Sequence, residues 1–131
     1  MKIKALLPLV ALLLATTAQA GWERKGQTPN EVLYVDPLTL KRNGQVVKGW
    51  TLLDYKKPTR LVDGGKLALS TKQYYVVNCE EETAAATHAT DYSELQGGGD
   101  VVDSYKFSGT QRPVSPDSMG GAIVQVFCSE K

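Results

Sequence analysis

The sequence is poor in the residues that carry chemistry. It has one histidine, His88, and two cysteines, Cys79 and Cys128, among 131 residues. A metal site wants three or four ligands of that kind, so no metal is expected. The aspartates Asp36, Asp54, Asp63, Asp91, Asp100 and Asp103 fall into no calcium-loop spacing, and turns or solvated positions account for most of them. "DGGK" and "GGGD" lack the glycine-lysine spacing of a phosphate loop. A hydrolytic arrangement would have to pair His88 with Ser70, Ser93 or Asp91, yet no serine sits in a nucleophile-elbow pattern. These absences predict a chain without cofactor and without catalytic activity.

Charge of neither sign predominates, with 15 Lys and Arg against 14 Asp and Glu. A nucleic-acid partner would demand a basic surplus, so none is expected. The apolar run from Ala5 to Ala15 falls short of the roughly 20 residues that span a bilayer. It forms part of an export signal instead. Lys2 and Lys4 precede it, and Ala18 and Ala20 are spaced for a signal peptidase that cuts before Gly21. No cysteine follows the cut to carry a lipid, so neither a membrane span nor a lipid anchor is expected. Residues 21–131 then make a single domain, periplasmic or secreted, in which acids outnumber bases by one.

An exported chain meets an oxidising compartment, so Cys79 and Cys128 are expected to form one disulfide. The loop they close, about 50 residues, corresponds to roughly 4 kcal/mol in the chain-entropy picture.

The body reads as strands. A short segment at Trp22 to Lys25 is broken by "GQTPNE", and "VLYVD" is β-branched and aromatic as a strand should be. Asn43-Gly44 predicts a type I′ hairpin turn between arms near Thr39 to Arg42 and Gln45 to Lys56. "PTRLVDGGKLAL" is a loop. From Ser70 to Glu81 a long strand places Tyr75, Val77 and Cys79 on one face. "TAAATHATDYSEL" is its return arm after a turn near Glu82, with His88 on the face of Ala86 and Tyr92. "QGGGD" is a flexible connection, and Val101 to Phe107 alternates as a further half-buried strand.

The tail predicts a helix capped by Ser115, with Pro116 in its first turn and Asp117 at the positive end of its dipole. Met119, Ala122, Ile123, Val126 and Phe127 form its apolar stripe. Gly120 and Gly121 weaken that helix and "AIVQVF" would also suit a strand, but the capping pattern favours helix. So short a helix needs a surface to dock on, and the face of Tyr75, Val77 and Cys79 offers one.

Taken in order, Trp22, "YVD" at 34–36, "VVKGWTLLDYKKP" from Val46 to Pro58, "STK" at 70–72, the Cys79 strand, Tyr92, "GGGDVV" at 97–102 and "SPDS" before Cys128 resemble the surface-adhesin E-like domain family. The resemblance covers almost all of residues 21–131. It implies an α+β, mostly β fold: one curved antiparallel sheet of about six strands, with a C-terminal helix tethered by the disulfide to the concave face. It also implies a bacterial binding module without catalysis, in a family whose founding adhesin binds host matrix and plasma proteins. That adhesin is a lipoprotein, whereas here Gly21 stands where its acylated cysteine would be.

Among the aromatics, Tyr74 and Tyr75 are adjacent and so point to opposite faces of a strand. With one face under the helix, Tyr74 is the displayed tyrosine and the expected contact for a protein partner. The alternative reading is a periplasmic inhibitor or envelope-assembly factor that inserts "DGGK" or "QGGGD" into its target. An open sheet also leaves two edges through which two copies could form a homodimer.

Overall fold

Alternating β-branched and aromatic residues pair into an antiparallel sheet, and the computed structural model describes residues 21–129 of it. The expected export signal, residues 1–20, lies outside the described residues. Eight strands occur among those described: β1 (Glu23–Gln27), β2 (Glu31–Val35), β3 (Lys41–Asn43), β4 (Val46–Thr59), β5 (Ala68–Asn78), β6 (Thr83–Tyr92), β7 (Val101–Lys106) and β8 (Arg112–Pro113). Six of them run in the order β1-β2-β4-β5-β6-β7, while β3 adds to β4 and β8 to β6. One α-helix occurs among the described residues, α1, spanning Met119–Ser129.

The β3–β4 hairpin forms, but its turn is shifted by one residue from the expected position. Asn43 pairs directly with Val46, which leaves Gly44 and Gln45 as the central residues. Gly44 has φ +60° and Gln45 does not adopt a positive φ, the pattern of a II′ turn with glycine first. The β5 strand also ends earlier than expected, at Asn78. Cys79 therefore sits in the four-residue turn to β6, where Glu82 takes a positive φ.

Direct cross-strand pairing sorts side chains into two faces. Val47, Thr51 and Leu53 of β4 share the inner face with Val77, Gln73 and Thr71 of β5, and with Leu33 and Val35 of β2. Helix α1 lies on this face and contributes Ile123, Val124 and Phe127 to a core with Leu33, Val35, Val47, Leu53, Tyr55, Val77 and Ala84. Each such aliphatic or phenylalanine side chain contributes about 1.5–3 kcal/mol on full burial. The helix touches both β1 and β6, which stand four strand spacings apart. A helix about 10 Å wide spans strands spaced about 4.8 Å apart in this way only if the sheet curls around it.

The helix starts three residues later than its sequence predicts. Ser118, not Ser115, caps it: the Ser118 hydroxyl accepts the Gly121 N–H at 3.1 Å. Residues Ser115 to Ser118 form a preceding turn closed by the Ser118 N–H to the Ser115 carbonyl. At the other end Arg42 of β3 donates to the carbonyls of Phe127 and Cys128, both at 3.3 Å, and so places a cation on the negative end of the helix. The Cys79–Cys128 disulfide joins the β5–β6 turn to that last turn. None of the helices among the described residues is long and apolar enough to cross a membrane.

Candidate functional site

The outer face carries a row of aromatic rings of its own. On β4, β5 and β6 the register pairs Trp50 with Tyr74 and Tyr74 with His88, and β7 adds Lys106 opposite His88. Trp50 is 37% exposed and meets half-buried Tyr74 edge to face, with centroids 5.1 Å apart. Such pairs contribute about 0.5–1.5 kcal/mol beyond their area. Next along the face, Lys72 Nζ sits 6.0 Å from the Trp22 ring and 5.2 Å from the Tyr92 ring, bridging the two as a cation over π faces.

Two open clefts lie over these residues. The larger, about 530 Å³, is lined by Trp50, Tyr74, His88, Thr90, Ser104 and Lys106 among others. The smaller, about 320 Å³, runs between Trp22, Lys72 and Tyr92, and again touches Trp50 and Thr90. Its carboxylate, Asp36, is nearly buried and occupied: it accepts the Gly21 N–H at 3.1 Å and caps the 3-10 turn Pro37–Thr39 through the Leu38 N–H at 3.0 Å.

His88 reaches this face through a bulge. Tyr74 pairs with His88 but Tyr75 pairs with Ala86, so Thr87 is an extra residue that turns His88 to the side opposite Ala86. The expected common face of His88 and Ala86 is thereby corrected. The groups that a hydrolytic arrangement would pair with His88 are engaged elsewhere. Asp91 lies on the inner face, fully buried, accepting from the Thr71 hydroxyl at 2.6 Å. Ser70 lies under the "QGGGD" segment, donating to the Glu94 carbonyl at 2.5 Å and accepting the Gly97 N–H at 2.9 Å. The His88 ring meets the Thr87 hydroxyl, 2.9 Å from Nδ1. No group of three His, Cys, Asp or Glu converges on a metal position among the described residues.

Around Asp91 the inner face is polar. The Tyr55 hydroxyl lies 2.8 Å from the Thr71 hydroxyl, and the Tyr105 hydroxyl donates to Asp103 at 3.1 Å. Asp103 is the direct cross-strand neighbour of Asp91, and Asp91 Oδ2 is buried without a hydrogen-bond partner. Burial first, and the Asp103 charge second, push the Asp91 carboxyl above its ordinary value, while the Thr71 hydroxyl opposes them. Burial likewise pushes the Tyr55 phenol up to about 12.

The segments expected to be mobile are clamped. Gln96 donates its backbone N–H to Asp54 Oδ1 at 2.8 Å and its side-chain amide to Asp54 Oδ2, and Gly98 and Asp100 accept from Glu94 and Ser93. "QGGGD" is thus a lid tied to the outer face and not a flexible connection. In "DGGK" the Gly65 N–H bonds to the Val62 carbonyl, and Gly65 packs so closely that a Cβ there would lie 2.9 Å from the Tyr105 hydroxyl.

Of the residues singled out from sequence, Cys79 and Cys128 are joined and Tyr74 lines the larger outer-face cleft. Trp22, Lys72, His88, Tyr92 and Lys106 were not assigned to that surface. Lys72, His88, Tyr92 and Lys106 carry only the signal of alternation along their strands, and the register, with the Thr87 bulge for His88, places them side by side; Trp22 precedes β1 and carries no such signal.

A curled antiparallel sheet with a disulfide-tethered C-terminal helix and an aromatic outer face defines a small sheet-and-helix domain. The model of the surface-adhesin protein E family matches residues 22–129, and the chain belongs to that family. Crystal form II of Haemophilus influenzae protein E is similar to it with a TM-score of 0.64 at 21% identity, covering 87% of this chain and 91% of that one. A structure of protein E from non-typeable Haemophilus influenzae gives 0.60 at 21% identity, covering 87% and 79%. At these identities the likeness establishes the fold. Comparison with curated proteins returns no match.

Proposed function

We propose that the chain is an exported, non-catalytic binding module that holds a protein partner on its outer face, with Tyr74 and Trp50 as anchors. The observation that carries this reading is the pair of aromatic clefts on the sheet face that α1 leaves uncovered. Partly exposed tryptophan and tyrosine in a pocket are the residue types that dominate binding energy when a partner desolvates them. Membership of a surface-adhesin family supports the same reading and makes host matrix and plasma proteins the first partners to test. Export would follow from cleavage before Gly21, leaving the module periplasmic or released.

The test is surface plasmon resonance of residues 21–131 over a panel of purified matrix and plasma proteins. Tyr74→Ala and Trp50→Ala should each weaken binding by at least about 1–2 kcal/mol, the cost of truncating an aromatic anchor. Unchanged affinity in both variants would discard the outer face. The inhibitor alternative has less to draw on, because "QGGGD" is hydrogen-bonded back onto Asp54 and Ser70 and "DGGK" is closed on itself by the Gly65 N–H to the Val62 carbonyl.

A further inference from the structure

We infer that the outer face grips its partner through an acidic oligosaccharide, with sugar rings laid against Trp50 and Tyr74 and acid groups held by Lys72 and Lys106. The inference rests on the reading of that face as the binding face and adds the chemistry of what it binds.

The two clefts meet at Trp50 and Thr90, so together they form one shallow trough across β4, β5, β6 and β7. Its chemistry alternates between ring faces and edges and the polar groups of Thr90, Ser104 and His88. A pyranose ring has the complementary pattern: an apolar C–H face that stacks on an aromatic ring, and a rim of hydroxyls that both donate and accept hydrogen bonds.

Charge then selects among sugars. Lys72 and Lys106 line the trough, while its one carboxylate, Asp36, is 8% exposed and already accepts two backbone N–H groups. A ligand with carboxylate or sulfate groups gains two cations and faces a single carboxylate that is nearly buried.

An acidic peptide would satisfy the charge but not the backbone. Most of the trough lies on a sheet face, where the N–H and C=O groups of Trp50, Tyr74 and His88 serve strand pairing, and only its β7 rim is an edge strand. Extended peptides bind sheets by adding to an edge, where such groups are free. Side chains alone leave a bound peptide's amides unpaired, whereas a saccharide carries its polar groups on its rim.

The experiment is calorimetric and NMR titration of residues 21–131 with 3′-sialyllactose, a heparin tetrasaccharide, lactose and hexaglutamate. An acidic saccharide should bind at least about tenfold more tightly than lactose and shift the indole N–H signals of Trp22 and Trp50. The stronger of the two tells whether carboxylate or sulfate is the natural group. Trp50→Ala should weaken it about tenfold. Lys106→Gln, on an exposed position of β7 that leaves the core untouched, should reduce the preference over lactose and lessen its salt dependence. Binding of hexaglutamate equal to that of the saccharides, or binding of no saccharide, overturns the inference. If no saccharide binds while Tyr74→Ala still abolishes attachment to a matrix protein, the sugar chemistry falls and the outer face stands. If Tyr74→Ala and Trp50→Ala change neither, both readings fall.

Discussion

Gly121 shows how far a residue's role can depart from its propensity. Glycine inside a helix ordinarily costs about 1 kcal/mol relative to alanine, so Gly121→Ala would be expected to stabilise α1. In the fold a Cβ at Gly121 would lie 2.3 Å from the Ser115 carbonyl oxygen and 2.8 Å from that of Pro116, both backbone atoms that cannot swing aside. Gly121→Ala should therefore lower stability by roughly 1–3 kcal/mol in urea unfolding. A gain would mean that the Ser115–Ser118 turn moves freely. Asp91 carries the opposite lesson for charge. Its carboxyl titrates above the ordinary 3.8 because burial and Asp103 disfavour its anion. The folded state therefore binds this proton more tightly than the unfolded chain, and the group's contribution is lost as pH rises from about 4 through its folded value. Asp91→Asn should be more stable than the parent at pH 7 and lose that advantage toward pH 3, read from melting temperatures across pH. An unchanged pH profile would remove Asp91 from this role.

Helix α1 is the element that depends most on distant parts of the chain. Three contacts fix it: the stripe of Ile123, Val124 and Phe127 in the sheet's hollow, Arg42 at its last carbonyls, and the disulfide. Replacing both Cys79 and Cys128 with serine should cost up to about 4 kcal/mol, since the bond closes a loop spanning 49 residues. Hydrogen exchange would locate the loss in α1, and protection unchanged along the helix would show that apolar packing alone holds it. The β1–β2 end depends on Asp36 in a similar way. Cleavage before Gly21 would put an α-ammonium where the Gly21 N–H now meets Asp36 Oδ2 at 3.1 Å. Asp36→Asn should then lower the melting temperature of residues 21–131 but do so less in a chain extended beyond Gly21. Equal effects in both would deny the terminal ion pair.

At the scale of the whole molecule, division of labour between the two faces is the central fact. One face is filled by a helix, so the other is left to display Trp50, Tyr74 and the cations around them. The larger cleft also includes His88, so His88→Ala should weaken partner binding modestly, by less than Trp50→Ala, while leaving the stability to unfolding within about 1 kcal/mol of the parent's. Equal loss in the two variants would shift the centre of the interface to β6.

The strands, the helix in the tail, the cysteine pairing and the family resemblance were all legible in the sequence, because each rests on local propensity, on alternation over a few residues, or on the compartment in which thiols oxidise. Three features were not legible: the one-residue shift of the Gly44 turn, the bulge at Thr87 and the cap at Ser118. The bulge is decided by the register with β5, and the turn and the cap by which of several neighbouring backbone groups close on one another, which residue preference does not fix; a shift of one residue reverses which face a side chain meets. So the sequence determined by itself that Tyr74 and Tyr75 part company. Tertiary structure alone decided which rings and which lysines Tyr74 would stand beside, because register is a property of strands brought together and not of any strand read by itself.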